Sequence, residues 1–160
     1  MAKNLRLSYY PWITQHITQA ELRRQIERFA DVLLASYKNL GGTEYSGVRV
    51  LDPVDVYAQI NQIVAGDAEL ALMNPLGYMF ARQRSSYAVK SIAVALREID
   101  GVVGDTYYAQ VYARKDAGIL DLASSRGKSI GFGVPYSTSN FLIPAHELRL
   151  AGLHPLTGLG

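Results

Sequence analysis

Gly66-Asp67-Ala68-Glu69-Leu70-Ala71-Leu72-Met73-Asn74-Pro75 holds the end of one helix, a short strand and the start of the next helix. Gly66-Asp67 stops the first helix. Glu69 to Met73 is an apolar strand. Asn74 is a favoured N-cap, and Pro75 suits the first helical position because its missing N–H costs nothing there. Helix, strand and helix joined this tightly imply an α/β architecture with a largely parallel sheet.

Towards the N-terminus the same alternation continues. The preceding helix is expected to start at Asp52-Pro53, again a cap followed by proline, and to run to about Val64. Before it, Gly47 to Leu51 is a Val-rich strand. A long amphipathic helix opens on the capping-box pattern Thr18-Gln19-Ala20-Glu21, with Leu22, Ile26, Phe29 and Leu33 on one face, and ends near Asn39 to Gly42. Leu5 to Tyr10 alternates as a first strand and breaks at Pro11-Trp12.

Towards the C-terminus a helix runs from Pro75 to about Arg84. Lys90 to Leu96, Tyr107 to Arg114 and Lys128 to Phe132 have strand character. A helix over Ser139 to Ala151 closes with Gly152. The Gly-rich, polar segment Gly101 to Asp105 marks a crossing between two lobes. The expected division is residues 1–103 as a first α/β lobe and 104–160 as a partial second lobe.

In parallel sheets ligands bind beyond the carboxyl ends of the strands. Tyr9, Tyr10 and Trp12, then Asp52, Asn74 and Ser137 to Ser139 fall there. Ser137-Thr138-Ser139 stands at the mouth of the last helix, where free N–H groups and the positive end of the helix dipole suit a tetrahedral oxyanion. Ordinary helix capping accounts for the same residues.

The 160 residues are 49% hydrophobic and 19% charged, with a net charge of +2. This composition supports a folded core. So small a charge, without a basic block, gives no reason to expect nucleic acid as a partner. There is no cysteine, which excludes disulfides and thiolate chemistry. His16, His146 and His154 lack metal-ligand spacing, and no Ser/His/Asp order or carboxylate pair stands at a strand end. Neither an enzyme, nor a metal, nor a cofactor is expected. Met1 leads directly into a strand-like run with no signal-peptide pattern. The location is therefore periplasmic or otherwise extracytoplasmic if a signal peptide was removed, and open if not.

Several segments, in order, resemble the phosphate/phosphonate-type substrate-binding proteins of ABC transporters, in the type II periplasmic binding protein superfamily. They are Val56-Tyr57-Ala58-Gln59-Ile60, the Gly66–Pro75 stretch with Tyr78 following, Tyr107 to Asp116, Leu120 through Phe132, and Pro135-Tyr136-Ser137-Thr138-Ser139-Asn140 through Pro144. Asn140 stands where the family usually has glycine. The chain resembles the family over nearly its whole length but looks shortened at its C-terminus.

The resemblance implies a periplasmic-binding-protein-like fold, a three-layer α/β lobe with the beginning of a second. It implies non-catalytic capture of a small oxyanion (phosphonate, phosphate or phosphite) between two lobes, and delivery to an ABC transporter permease. It also implies ligand-binding residues: Ser137, Thr138 and Ser139 as hydroxyl donors, Tyr57 and Tyr107 as ligand-facing phenols, and Tyr10 with Trp12 as an apolar wall. Asn74, at the end of the third strand, is a further ligand-binding candidate, with capping of the next helix as the favoured alternative. A ligand-sensing or interaction domain of the same fold in a signalling protein is the alternative. Self-association is expected if the second lobe leaves strand edges uncovered.

Overall fold

The computed structural model describes residues 3–11 and 17–154. Trp12 and His16 lie outside the described residues. The chain divides into two compact units, residues 1–90 and 91–160.

In the first unit, β1 (Lys3–Tyr9) pairs in parallel with β2 (Tyr45–Val50) on one side and β3 (Leu70–Leu72) on the other. Leu7 sits opposite both Val50 and Leu70, and Tyr9 opposite Leu72. Successive strand residues face opposite sides. Leu7 and Tyr9 therefore pack with Leu22, Ile26 and Ala30 of α1 (Gln19–Asn39), while Ser8 turns to the other face. There its hydroxyl donates to Gln62 Oε1 of α2 (Val56–Ala65) at 2.7 Å. The sheet thus carries a helix layer on each side. On the second side, α2 packs against α3 (Pro75–Arg84), burying Val56, Ile60, Gly77 and Ala81.

Helix starts follow their caps. Thr18 Oγ1 accepts the N–H of Glu21 at 3.2 Å, and Asn74 Oδ1 accepts the N–H of Gly77 at 2.7 Å, with Pro75 opening α3. Gly66 ends α2 at φ 78°, a left-handed cap that suits a residue without Cβ.

Several expectations need correction. The buried stripe of α1 is Leu22, Ile26 and Ala30, and Phe29 is 45% exposed. A step of four residues at each position keeps the stripe on one line, and Phe29 falls to its flank. Asp52 does not cap α2. Leu51 and Val54 donate backbone N–H groups to Leu7 and Tyr9 of β1, which holds the chain extended through Val54. The helix starts only afterwards, with Asp55 Oδ1 accepting the N–H of Ala58. The Asp52 carboxylate receives Arg23 Nη1 instead, at 2.8 Å.

Lys90 to Leu96, Tyr107 to Arg114 and Lys128 to Phe132, all but Lys90 in the second unit, are not strands. Alternation makes a segment competent to pair, but a strand forms only where a neighbour supplies the ladder. These segments have no such neighbour among the described residues. Among the described residues one hairpin forms, joining β4 (Arg97–Ile99) to β5 (Val102–Gly104), so Gly101 to Gly104 lies within it and Asp105 follows it. Asp100 and Gly101 both have positive φ, 52° and 77°, as a two-residue hairpin turn matched to strand twist demands. The last helix begins as a π-helical turn, Thr138–Leu142, and continues as α4 (Ile143–Leu150). Pro144, Ala145, Leu148 and Leu153 are buried, and Phe132 meets Phe141 edge-on with centroids 5.2 Å apart.

Candidate functional site

The turn before α4 is organised by a proline. Pro144 has no N–H, so the carbonyl of Asn140, four residues earlier, receives no helical bond from it. That carbonyl accepts the N–H of Gly133 at 2.9 Å and ties the approach to the turn back onto the helix start. The helical bonds shift by one residue to compensate. Both Phe141 and Leu142 donate to Ser137 O, and Ile143 donates to Thr138 O. Such π-turns concentrate at functional sites. Gly133 approaches so closely that a Cβ there would stand 2.6 Å from Asn140 Cβ.

Three hydroxyls occupy this turn in different states. Ser137 is the N-cap; its Oγ accepts the N–H of Asn140 at 3.1 Å. Capping therefore accounts for Ser137. Thr138 Oγ1 is buried and has no partner. Ser139 is partly buried. The backbone N–H groups of Thr138 and Ser139 have no hydrogen-bond partner among the described residues, as expected for the first two positions of a helix. The helical segment thus opens on two free amides and one buried, unpaired hydroxyl, donor types that suit an anion.

The second unit also carries Tyr107, in irregular chain after β5. The Arg97 guanidinium lies over its ring, 4.7 Å from the centroid. That cation over a ring face was not anticipated from sequence, because the Arg97–Tyr107 spacing matches no local motif.

In the first unit, Tyr10, Tyr57 and Asn74 follow the carboxyl ends of β1, β2 and β3 in turn. Tyr10 follows the last residue of β1 and is partly buried. Tyr57 is the second residue of α2 and is 56% exposed. Asn74 caps α3 in the turn after β3 and is partly buried. Tyr9, grouped with these from sequence, is instead a core residue. Its ring faces α1 and burial pushes its phenol above the ordinary value.

Sequence reasoning also passed over Gln59. It is fully buried, its Nε2 donates to Leu72 O at the end of β3 at 3.0 Å, and its Oε1 is unpaired. Its position on the inner face of α2 among apolar neighbours was the available signal. Among the described residues no helix is long and apolar enough to cross a membrane, and no three His, Asp or Glu side chains gather as a metal site.

Residues 10–159 match the family model described as the periplasmic substrate-binding protein of phosphonate ABC transporters. The match takes in both units, the Thr138 turn, and Tyr10, Tyr57, Asn74 and Tyr107. It implies a phosphonate-type small ligand, an extracytoplasmic place of work and a generally non-catalytic role. With its parallel α/β sheet and a match over nearly its full length, the chain belongs to the phosphonate-binding periplasmic substrate-binding proteins of ABC transporters.

Proposed function

We propose that this chain captures a phosphonate, or a closely related phosphate-like oxyanion, and presents it to the permease of an ABC transporter without transforming it. The observation that carries the reading is the buried, unpartnered hydroxyl of Thr138 beside the free amides of Thr138 and Ser139. A buried donor left unpaired costs about 1–3 kcal/mol. An oxyanion removes that cost by accepting from it. Because the donors are neutral, the anion is held by hydrogen bonds and helix dipole without a full cation in contact.

In this reading Ser137, Thr138 and Ser139 receive the oxyanion. The phenols of Tyr57 and Tyr107 donate to its oxygens and exclude water. Tyr10 faces the organic substituent, and Asn74 contributes from the end of β3.

Calorimetric titration with methylphosphonate, 2-aminoethylphosphonate, phosphite and phosphate tests the reading. Saturable binding of a phosphonate is expected, and the panel ranks it against the inorganic anions. A folded sample that gives no heat with any of the four overturns it.

A further inference from the structure

We propose that Gln59 is a positioning residue for the ligand-facing edge of the first unit, holding the turn that carries Asn74 against the helix that carries Tyr57. Tyr57 lies two residues before Gln59 on α2. Asn74 lies two residues after Leu72, whose carbonyl accepts the Gln59 Nε2–H at 3.0 Å. One side chain therefore bridges the backbone of α2 to the backbone just ahead of α3.

The junction transmits small displacements. A Cβ on Gly77, in the first turn of α3, would lie 3.1 Å from both Val56 Cγ1 and Asn74 Oδ1. The starts of α2 and α3 therefore abut without slack, and a shift at Leu72 is felt at both.

The tie is made at a cost. Gln59 is wholly buried and its Oε1 accepts nothing. One turn along the same helix, Gln62 Oε1 receives the Ser8 hydroxyl, so the polar layer beneath β1 is paired there. An apolar side chain of similar size at position 59 would lose the bond to Leu72 O but would also remove the stranded oxygen. These two changes oppose each other in stability. They do not oppose each other in positioning, because an apolar side chain supplies no bond to Leu72 O.

The ligand part of this inference rests on the function proposed above; the tie itself rests on geometry alone. The test uses Gln59→Met and Gln59→Glu in the full chain, with amide hydrogen exchange of the free protein and calorimetry with methylphosphonate. For Gln59→Met, the melting temperature is expected to stay within about 4 °C of the parent. Protection of the Gly77 amide and its neighbours is expected to fall about tenfold, and the methylphosphonate Kd to rise about tenfold. A filler role predicts the reverse, a lowered melting temperature with unchanged affinity.

Gln59→Glu supplies a second readout that survives if the Met variant fails to fold. A neutral carboxyl donates to Leu72 O, whereas an ionised one repels it. Protection at Gly77 in this variant is therefore expected to approach the parent's as pH falls and to depart from it as pH rises. Unchanged protection and affinity in Gln59→Met, or a pH-independent Gln59→Glu, overturns the proposal. Absence of methylphosphonate binding by the parent chain would instead count against the proposed function, and exchange alone would then decide the tie.

Discussion

Thr138 holds its hydroxyl where neither solvent nor protein pairs with it, and this makes stability and binding separable at one position. Thr138→Val replaces the hydroxyl with a methyl of nearly equal size. The lost group was unsatisfied, so the free protein is expected to melt at the parent temperature or slightly above it. A hydrogen bond to a charged acceptor contributes about 1.5–3 kcal/mol, so phosphonate affinity is expected to fall at least about tenfold. Paired melting curves and calorimetry check both halves, and a variant that binds as the parent does removes Thr138 from the site. Gly133→Ala probes the framework of the turn. Its Cβ would meet Asn140 Cβ at 2.6 Å, so the backbone must move, at a cost of about 1–3 kcal/mol. A melting temperature unchanged by that substitution would contradict the close approach. The sequence makes the cluster of hydroxyls plain, because residue type and a following proline suffice to place it at a helix start. It does not separate the capping role of Ser137 from the unpaired state of Thr138. That division depends on which residue adopts the extended cap conformation, φ −83° and ψ 122° at Ser137, and the shift to π-bonding upstream of Pro144 decides it. Tyr9 and Tyr10 illustrate the same limit more mildly. Alternation with Leu5 and Leu7 puts Tyr9 on the core face, leaving Tyr10 as the residue at the edge.

Elements whose signals are local are legible from sequence, and elements that need a partner are not. The caps at Thr18 and Asn74 place two helix starts, since each side chain satisfies an amide three residues away. The parallel β1, β2 and β3 also emerge, because the helices between them leave few other arrangements. Asp52-Pro53 carries a good local signal and is overridden by pairing of Leu51 and Val54 with β1. Asp100-Gly101 is a strong hairpin signal that a reading focused on lobe crossings passes over. The entry to β3 makes its own prediction. Glu69 accepts from the Arg6 backbone N–H at 2.7 Å and from the Arg6 guanidinium, which also donates to Gly66 O. The guanidinium bond holds the Glu69 carboxyl at about 2, against an ordinary value of 4.5. A carboxylate whose folded pKa is depressed stabilises the fold above its unfolded pKa. That contribution fades as pH falls from about 4.5 towards 2. Both side chains are about a third exposed, so water and salt screen the pair and the effect is modest. Glu69→Gln is expected to lower the melting temperature at pH 7 and to flatten its decline between pH 5 and pH 2. Parallel slopes for parent and variant across that range would show that the clasp contributes nothing to acid sensitivity.

At the scale of the molecule, the first unit and the second differ in how completely they bury what their sequences offer. In the first, a sheet with helices on both faces encloses Leu7, Tyr9, Ile60 and Ala81. In the second, segments with strand-like alternation join no sheet, and large apolar side chains stand in solvent: Ile92 is 78% exposed, Tyr112 83% and Leu120 94%. Unpaired backbone in an extended, apolar run is a template for another chain, and contiguous exposed apolar surface favours association. The chain of residues 1–160 is therefore expected to self-associate through the second unit, with a mass by light scattering that rises with concentration. Charged substitutions at solvent-facing positions of these runs, such as Val94→Lys with Tyr112→Lys, remove apolar area without touching the Thr138 turn, and like charges then oppose strand pairing between copies. The doubly substituted chain is expected to shift towards the monomer while retaining phosphonate binding. Were the parent a monomer at every concentration, the exposed runs would have to be solvated as they stand. Were the double variant to associate as the parent does, the contact would lie elsewhere, with the Phe29 and Val32 flank of α1, also in solvent, as the next surface to substitute.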